Sequence, residues 1–427
     1  MGGAPAATGT CPAHPAASPD VPPPARQQQG PGQPRGPPRV PAGAEAPYGP
    51  QEIVNTRAAP GEFDLYDCAP DRRQQLLLRA ALLEPDAAAA AWRQWCDGGE
   101  LDDVDSASFR LLPLVYRKLQ DAAGDDPLLP RLQVVYRHTW FKNQVLFDAA
   151  RALLARLAAA GIEAMLLKGA AMSLTHYRDP GLRFMHDLDV LVRPQHFLRA
   201  VEVLMDANWG PTGAGPRVIA TWHRRRFQHG ASFRRDSTEI DLHSQLSRFT
   251  WQDDEDIWRH AQRIEWRGTP VYLPDTTVQF YHTCNHGVRW SYGKLSWIPD
   301  ALAVLRGPAP GVDWERLLRI ARHSRTICQL HHSLAYLRHA WDADIPAEVL
   351  AQLAAQPVSW VERGDYRMLA SRPRRTPGHL AARLFLRSCR YGASAGPAQA
   401  PLGVDFFTWI RYLYLDYLGL TARKHEE

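Results

Sequence analysis

Two aspartates one residue apart, Asp187 and Asp189, open the run Asp187-Leu188-Asp189-Val190-Leu191-Val192. Alternate side chains of a β-strand share one face. A strand over Asp187–Val192 therefore predicts both carboxylates on one side, with Leu188, Val190 and Val192 in the core. Two carboxylates held together repel unless a proton or a cation relieves them. Divalent Mg²⁺ or Mn²⁺ suits such an oxygen-ligand site. The plain alternative is a solvated strand edge carrying two exposed acids.

A second alternating segment, Thr238–His243, adds to the pattern. Ile240 and Leu242 fall on one side, and Glu239, Asp241 and His243 on the other. Asp241 would bring a third carboxylate from a neighbouring strand. Two acids on one strand and one on the next is what a two-metal phosphoryl-transfer site needs. Against this stands a polar face on an edge strand. Upstream, Leu166-Leu167-Lys168-Gly169-Ala170-Ala171 runs from an apolar strand through glycine into a helix. Gly169 permits close backbone approach, and the helix start offers N–H groups to a phosphate. Lys168 would add a point charge, or simply be solvated at a strand end.

These residues need elements to hold them. Helices are expected over Gln74–Leu83 and Ala87–Trp95, broken at Pro85, then over Phe109–Leu119. A long helical pattern runs from Leu129 to Ala160 and stops at Gly161. Then the period changes. Ala164–Lys168 and Asp187–Val192 read as strands, with a helix-like segment after Gly169. Gln195–Ala207 reads as a helix with Phe197, Ala200, Val201 and Leu204 on one face. Phe227–Phe233 and Thr238–His243 read as a strand pair around Arg235-Asp236-Ser237. The order is strand–helix–strand–helix–strand–strand, a small α/β sheet. From Asp275 onward the pattern is helical again: Thr276–Gly287, Ile298–Arg306, Trp314–His323, Thr326–Trp341 and Ala347–Ala355.

The 427 residues allow two or three domains. Hydrophobic residues at 45% can fill a core without disulfide or metal staples. Five segments are expected: a Pro/Gly/Ala-rich tail over 1–60, a helical region over 61–160 and an α/β core over 161–274. A helical domain follows over 275–390, then a linker and terminal helix over 391–427. Fifteen of the 35 prolines fall in the first segment, which has almost no large aliphatic residues to offset its ordering entropy. It carries no signal-peptide or myristoylation pattern. No run of 18 apolar residues suggests a membrane span. The six cysteines form no CxxC pair and are expected as reduced thiols, placing the protein in the cytoplasm. The Ala, Arg and Pro usage suggests a GC-rich bacterial genome. A formal charge of +5 over the whole chain is too dilute to argue for nucleic-acid binding.

The segment from Leu166 to Val192 resembles the signature of the uncharacterised bacterial nucleotidyltransferase family, within the polymerase β-like nucleotidyltransferase superfamily. The matching residues are Leu167-Lys168-Gly169, Tyr177, Arg183, Met185, Asp187, Asp189, Leu191 and Val192. Ile240–His243 resembles the third-carboxylate strand. His282, His286, Gly287, Trp290, Leu295 and Asp300 fit the later pattern, and the resemblance spans roughly Leu111–Leu353. It implies an α+β fold, a small mixed-sheet nucleotidyltransferase core flanked by N-terminal and C-terminal helical segments. The superfamily usually has Gly-Ser at the first core helix; here Lys168-Gly169 stands there and no serine follows.

What the resemblance implies is transfer of a nucleoside monophosphate from a nucleoside triphosphate to an unidentified acceptor. Asp187, Asp189 and Asp241 would bind Mg²⁺ or Mn²⁺, and Asp241 would also serve as base. Lys168, Gly169 and Arg183 would hold phosphate, although Arg183 is equally suited to an ion pair that orients the aspartates. His243, His286 and Trp290 would line the substrate cleft. Two rival readings remain: an inactive nucleotide- or partner-binding protein on the same fold, and a glycosyltransferase using Asp187-Leu188-Asp189 to hold a sugar nucleotide. The partners expected are the triphosphate and its acceptor, with neither membrane nor nucleic acid.

Three features are weaker. His282 and His286 share a helix face, where zinc competes with core packing or capping. Arg217, His223–Arg226, Arg234 and Arg235 form a basic cluster, read as a solvated edge or a patch for an acidic partner. Phe406, Trp409, Ile410, Leu413, Tyr417 and Leu420 outline an amphipathic terminal helix that docks on the body or a partner.

Overall fold

The apolar run after Asp187 forms the centre of a seven-stranded mixed sheet. The computed structural model describes residues 69–371 except 123–124, 213–228, 247–253, 288–294 and 308–309, together with 378, 381–382 and 385–386. The tail over 1–60, Trp290, Arg217, His223–Arg226 and the terminal helix at Phe406–Leu420 lie outside the described residues.

The chain begins with helices α1 (Arg72–Leu82), α2 (Pro85–Asp97), α3 (Ser106–Phe109), α4 (Leu112–Leu119) and the long α5 (Leu129–Ala159). Asp71 caps α1 in a reciprocal capping box with Gln74. Pro85 starts α2, because a first-turn proline has no N–H to lose. Gly161 takes φ +72° just past α5, a left-handed stop that glycine adopts without strain.

Strand β1 (Ala164–Leu166), helix α6 (Lys168–Met172), strand β2 (Leu188–Val192) and helix α7 (Phe197–Asp206) follow. Then come β3 (Gly210–Pro211), β4 (Gly230–Arg235), β5 (Thr238–His243), α8 (Asp254–His260), β6 (Gln262–Trp266) and β7 (Thr269–Leu273). The strand order is β3-β4-β5-β2-β1-β7-β6. β2 runs parallel to β5 and antiparallel to β1.

The period of two separates the sheet's faces. Leu188, Val190, Val192, Ile240 and Leu242 pack in one buried cluster with Phe147, Leu153 and Leu154 of α5 and Val201 and Leu204 of α7. Met165, Leu167 and Leu191 join a second cluster with Val278 and Phe280. Each such burial contributes roughly 1.5–3 kcal/mol relative to exposure. The second cluster extends through helices α9 (Thr276–Gly287), α10 (Trp297–Leu305), α11 (Trp314–His323), α12 (Ile327–Trp341), α13 (Ala347–Ala354) and α14 (Trp360–Ala370).

The sheet is larger than the sequence pattern suggests. β6 and β7 form a hairpin whose turn, Arg267-Gly268, has φ +50° and +79°. β7 then pairs in parallel with β1 through Met165 and Tyr272. β6 is an edge strand with Gln262, Arg263 and Glu265 exposed, so it lacks an apolar signature. The two-residue β3 is too short to leave one. Helix α14 leaves little periodic signal in the sequence, since Arg363-Gly364-Asp365 interrupts its apolar pattern.

Candidate functional site

Parallel pairing of β2 with β5 sets Asp189 directly opposite Asp241, and Leu191 opposite His243. Because alternate residues share a face, Asp189, Asp241 and His243 project to the same side of the sheet. Their ligand atoms lie within 4.8 Å of one another, and they are the cluster of three metal-ligating side chains among the described residues. Asp187 stands one residue before β2 and is half-buried.

Asp189 is only 3% exposed, yet it is well partnered. Its Oδ1 lies 2.9 Å from His243 Nε2 and 2.5 Å from Lys168 Nζ. Burial alone would raise the Asp189 pKa. The Lys168 ammonium and the His243 hydrogen bond outweigh it and hold the carboxyl well below the usual range. Burial likewise disfavours the Lys168 ammonium, but Asp189, Asp187 and Asp241 together hold its pKa above the ordinary lysine value. Lys168 is also bent backwards, with φ +46°, a region that non-glycine residues rarely adopt.

The donor set suits a small divalent cation. Two carboxylates supply hard oxygen ligands, and the buried His243 Nδ1 has no hydrogen-bond partner among the described residues. The structure sets His243 against Asp189, with Nε2 2.9 Å from Oδ1. The alternation of Thr238–His243 puts His243 on the acid face, but its partner comes from a strand 54 residues away.

Gly169 makes room for a side chain. A Cβ there would lie 2.7 Å from Met185 Cγ and 3.1 Å from its Sδ. Met185 precedes Asp187 by two residues, so this close approach helps fix where the aspartate segment crosses α6. The helix itself is five residues long and continues as a π-helical stretch over Ser173–Tyr177.

Arg183 forms an ion pair with Asp300 of α10. Its Nε lies 2.9 Å and 3.0 Å from the two Asp300 oxygens, and Nη2 lies 2.9 Å from Oδ2. Nη1 donates to the Phe184 carbonyl. The Tyr177 hydroxyl donates to the same Asp300 carboxylate at 2.8 Å. Tyr177, Arg183 and Asp300 thus tie the segment before β2 to the helical layer.

The other sequence candidates lie elsewhere. His282 is buried in α9, with its ring 5.9 Å from that of His286. Neither belongs to the three-residue acid and histidine cluster. Arg234 pairs with Glu239 at 3.1 Å, and Arg235 lies over the Trp209 ring. A cavity of about 490 Å³ opens between α5 and the β4–β5 hairpin. Phe141, Lys142, Met185, His186 and Glu239 line part of it. No described helix is long and apolar enough to cross a membrane.

Residues 106–342, more than half of the chain, match the profile of a family described as uncharacterised nucleotidyltransferase. No curated protein matches. Among solved structures, an antigenic nucleotidyltransferase-like protein from Paracoccidioides brasiliensis is 16% identical, with a TM-score of 0.32. The alignment covers 51% of this chain and 94% of that one, and so loose a superposition adds nothing to the family match. The match over 106–342 places the chain in the nucleotidyltransferase family.

Proposed function

We propose that this member of the uncharacterised nucleotidyltransferase family moves a nucleoside monophosphate group from a nucleoside triphosphate to an acceptor hydroxyl or phosphate, releasing pyrophosphate. The observation that carries the reading is the buried Asp189 set opposite Asp241 by strand register. An acid pair placed this way belongs to phosphoryl-transfer chemistry more than to a solvated edge.

Asp189 and Asp241, with Asp187 beside them, would hold Mg²⁺ or Mn²⁺. Such a cation would offset the negative charge of the triphosphate and make the acceptor hydroxyl easier to deprotonate. His243 fixes the orientation of Asp189 through its hydrogen bond, as outer-sphere partners of metal ligands do. Asp241, half-buried, is the acid we assign to the acceptor proton. The acceptor oxygen attacks the α-phosphorus as the bond to the β-phosphate oxygen breaks. The proton passes to Asp241, and the electron pair leaves with pyrophosphate.

A second reading, binding of nucleotide without chemistry, draws on the Lys168 ammonium already seated on Asp189 and on the missing serine after Gly169. Pyrophosphate release separates the two. Each of the four nucleoside triphosphates is supplied with Mg²⁺ or Mn²⁺ and a cell extract as acceptor pool. Release by wild type that vanishes in Asp187→Ala/Asp189→Ala supports transfer. Nucleotide binding by a folded protein without release supports the second reading.

A further inference from the structure

We infer that Lys168 is an internal cation that competes with the metal ion for the acid cluster, rather than a residue held ready for phosphate alone. The inference rests on the metal-dependent reading above. Its first support is geometric: Lys168 Nζ and His243 Nε2 both contact one oxygen of Asp189, the most enclosed acid of the cluster. An ammonium so placed does for Asp189 what a bound cation would do.

The second support is the backbone. Lys168 is the first residue of α6 and holds φ +46°. The same left-handed conformation occurs at turn residues such as Arg267; at Lys168 it opens the helix whose first side chain ends on Asp189. Gly169 follows immediately and would have met the φ demand had the chain placed it one position earlier. The left-handed turn instead carries a side chain, and that side chain ends on Asp189.

The third support is electrostatic. The ammonium rests on Asp189, whose ligand oxygen lies within 4.8 Å of the ligand atoms of Asp241 and His243, so it sits beside the whole cluster. Its side chain is 25% exposed against 4% for Asp189, so the lysine covers the carboxylate from the solvent side. A divalent cation that takes the same Asp189 oxygen displaces this ammonium. Withdrawn from the acids, the ammonium needs another anion, because an unpaired charge in a partly buried setting is costly. A triphosphate supplies that anion. Lys168 thereby makes metal entry weak on its own and stronger when nucleotide arrives with it.

Mn²⁺ binding in the absence of nucleotide reads this directly, by paramagnetic resonance titration of the full chain. Lys168→Met removes the ammonium, and Lys168→Gly also relieves the left-handed backbone. Near-ultraviolet circular dichroism checks that each variant is folded. Both variants are expected to bind Mn²⁺ at least about tenfold more tightly than wild type, the scale on which partners of metal ligands alter affinity. Lys168→Arg keeps a cation and is expected to stay near wild type. Unchanged or weaker binding in both neutral variants, with wild-type binding that Asp189→Asn abolishes, overturns the inference and leaves the metal site standing. No Mn²⁺ binding by wild type or by either neutral variant overturns both.

Discussion

The Arg183 guanidinium closes on the Asp300 carboxylate across 117 residues of chain, with Nε and Nη2 each 2.9 Å from a different oxygen. The pair is enclosed, at 15% and 6% side-chain exposure, and Tyr177 donates to the same carboxylate. It joins the segment that leads into Asp187 to the helix Trp297–Leu305. Removing one partner of such a pair leaves a buried charge uncompensated, at about 3–5 kcal/mol. Asp300→Ala is therefore expected to lower the urea midpoint strongly, and Asp300→Asn, which keeps an acceptor oxygen, less. Equal midpoints for wild type and both variants contradict this role.

Gly169 offers a second mechanical test. A methyl group there meets Met185 at 2.7 Å, on the segment that positions Asp187. Gly169→Ala should destabilise by about 1–3 kcal/mol through overpacking. Shortening the opposing side chain makes room, so Gly169→Ala/Met185→Ala should be more stable than the sum of the two single changes. Strict additivity in denaturant titrations speaks against the contact.

His243 and Lys168 touch the same oxygen but should act in opposite directions. His243→Ala removes the hydrogen bond that orients Asp189 and is expected to weaken Mn²⁺ binding about 10–100-fold. Lys168→Met is expected to strengthen it. Calorimetric titrations that give both changes the same sign count against the assigned geometry.

His332 sets a pH limit away from the site. It is 3% exposed on the helix Ile327–Trp341, and neither ring nitrogen has a hydrogen-bond partner among the described residues. Burial, aided by His331, pushes its pKa down from 6.5 to about 3. The unfolded chain takes up this proton below pH 6.5, while the folded chain resists until about pH 3. Stability from the neutral ring is complete above pH 6.5 and falls through that window, by about 1.4 kcal/mol per pH unit for this one group. His332→Phe should flatten the loss of stability between pH 6 and about 4, measured by urea unfolding. Parallel pH curves for the two proteins refute the assignment.

Short-range rules made much of the fold legible. The alternation of Leu188–Val192 named a buried strand, and Gly161 marked the end of the long helix that begins at Leu129. Thr276–Gly287 and Trp314–His323 were readable to the residue. The hairpin Gln262–Leu273 was not, because its edge strand faces solvent with polar side chains. The signal present was the turn Arg267-Gly268 with Val271 and Leu273 alternating after it. At the site, spacing put Asp241 and His243 on one face but gave no register between strands, which joins Asp189 to both. The pairing of Lys168 with Asp189, and of Arg183 with Asp300, depends on contacts over 21 and 117 residues. No local pattern encodes them.

The most direct measurement of nucleotidyl transfer follows the phosphorus atoms. The protein is incubated with Mn²⁺, an acceptor pool and a nucleoside triphosphate labelled at either the α- or the γ-phosphate. The expected result is α-label in a new, larger product and γ-label in pyrophosphate, both lost in Asp189→Asn. Transfer of the γ-label to the acceptor, or α-label transfer that survives in Asp189→Asn, would contradict the assignment of nucleotidyl transfer to the Asp189–Asp241 pair.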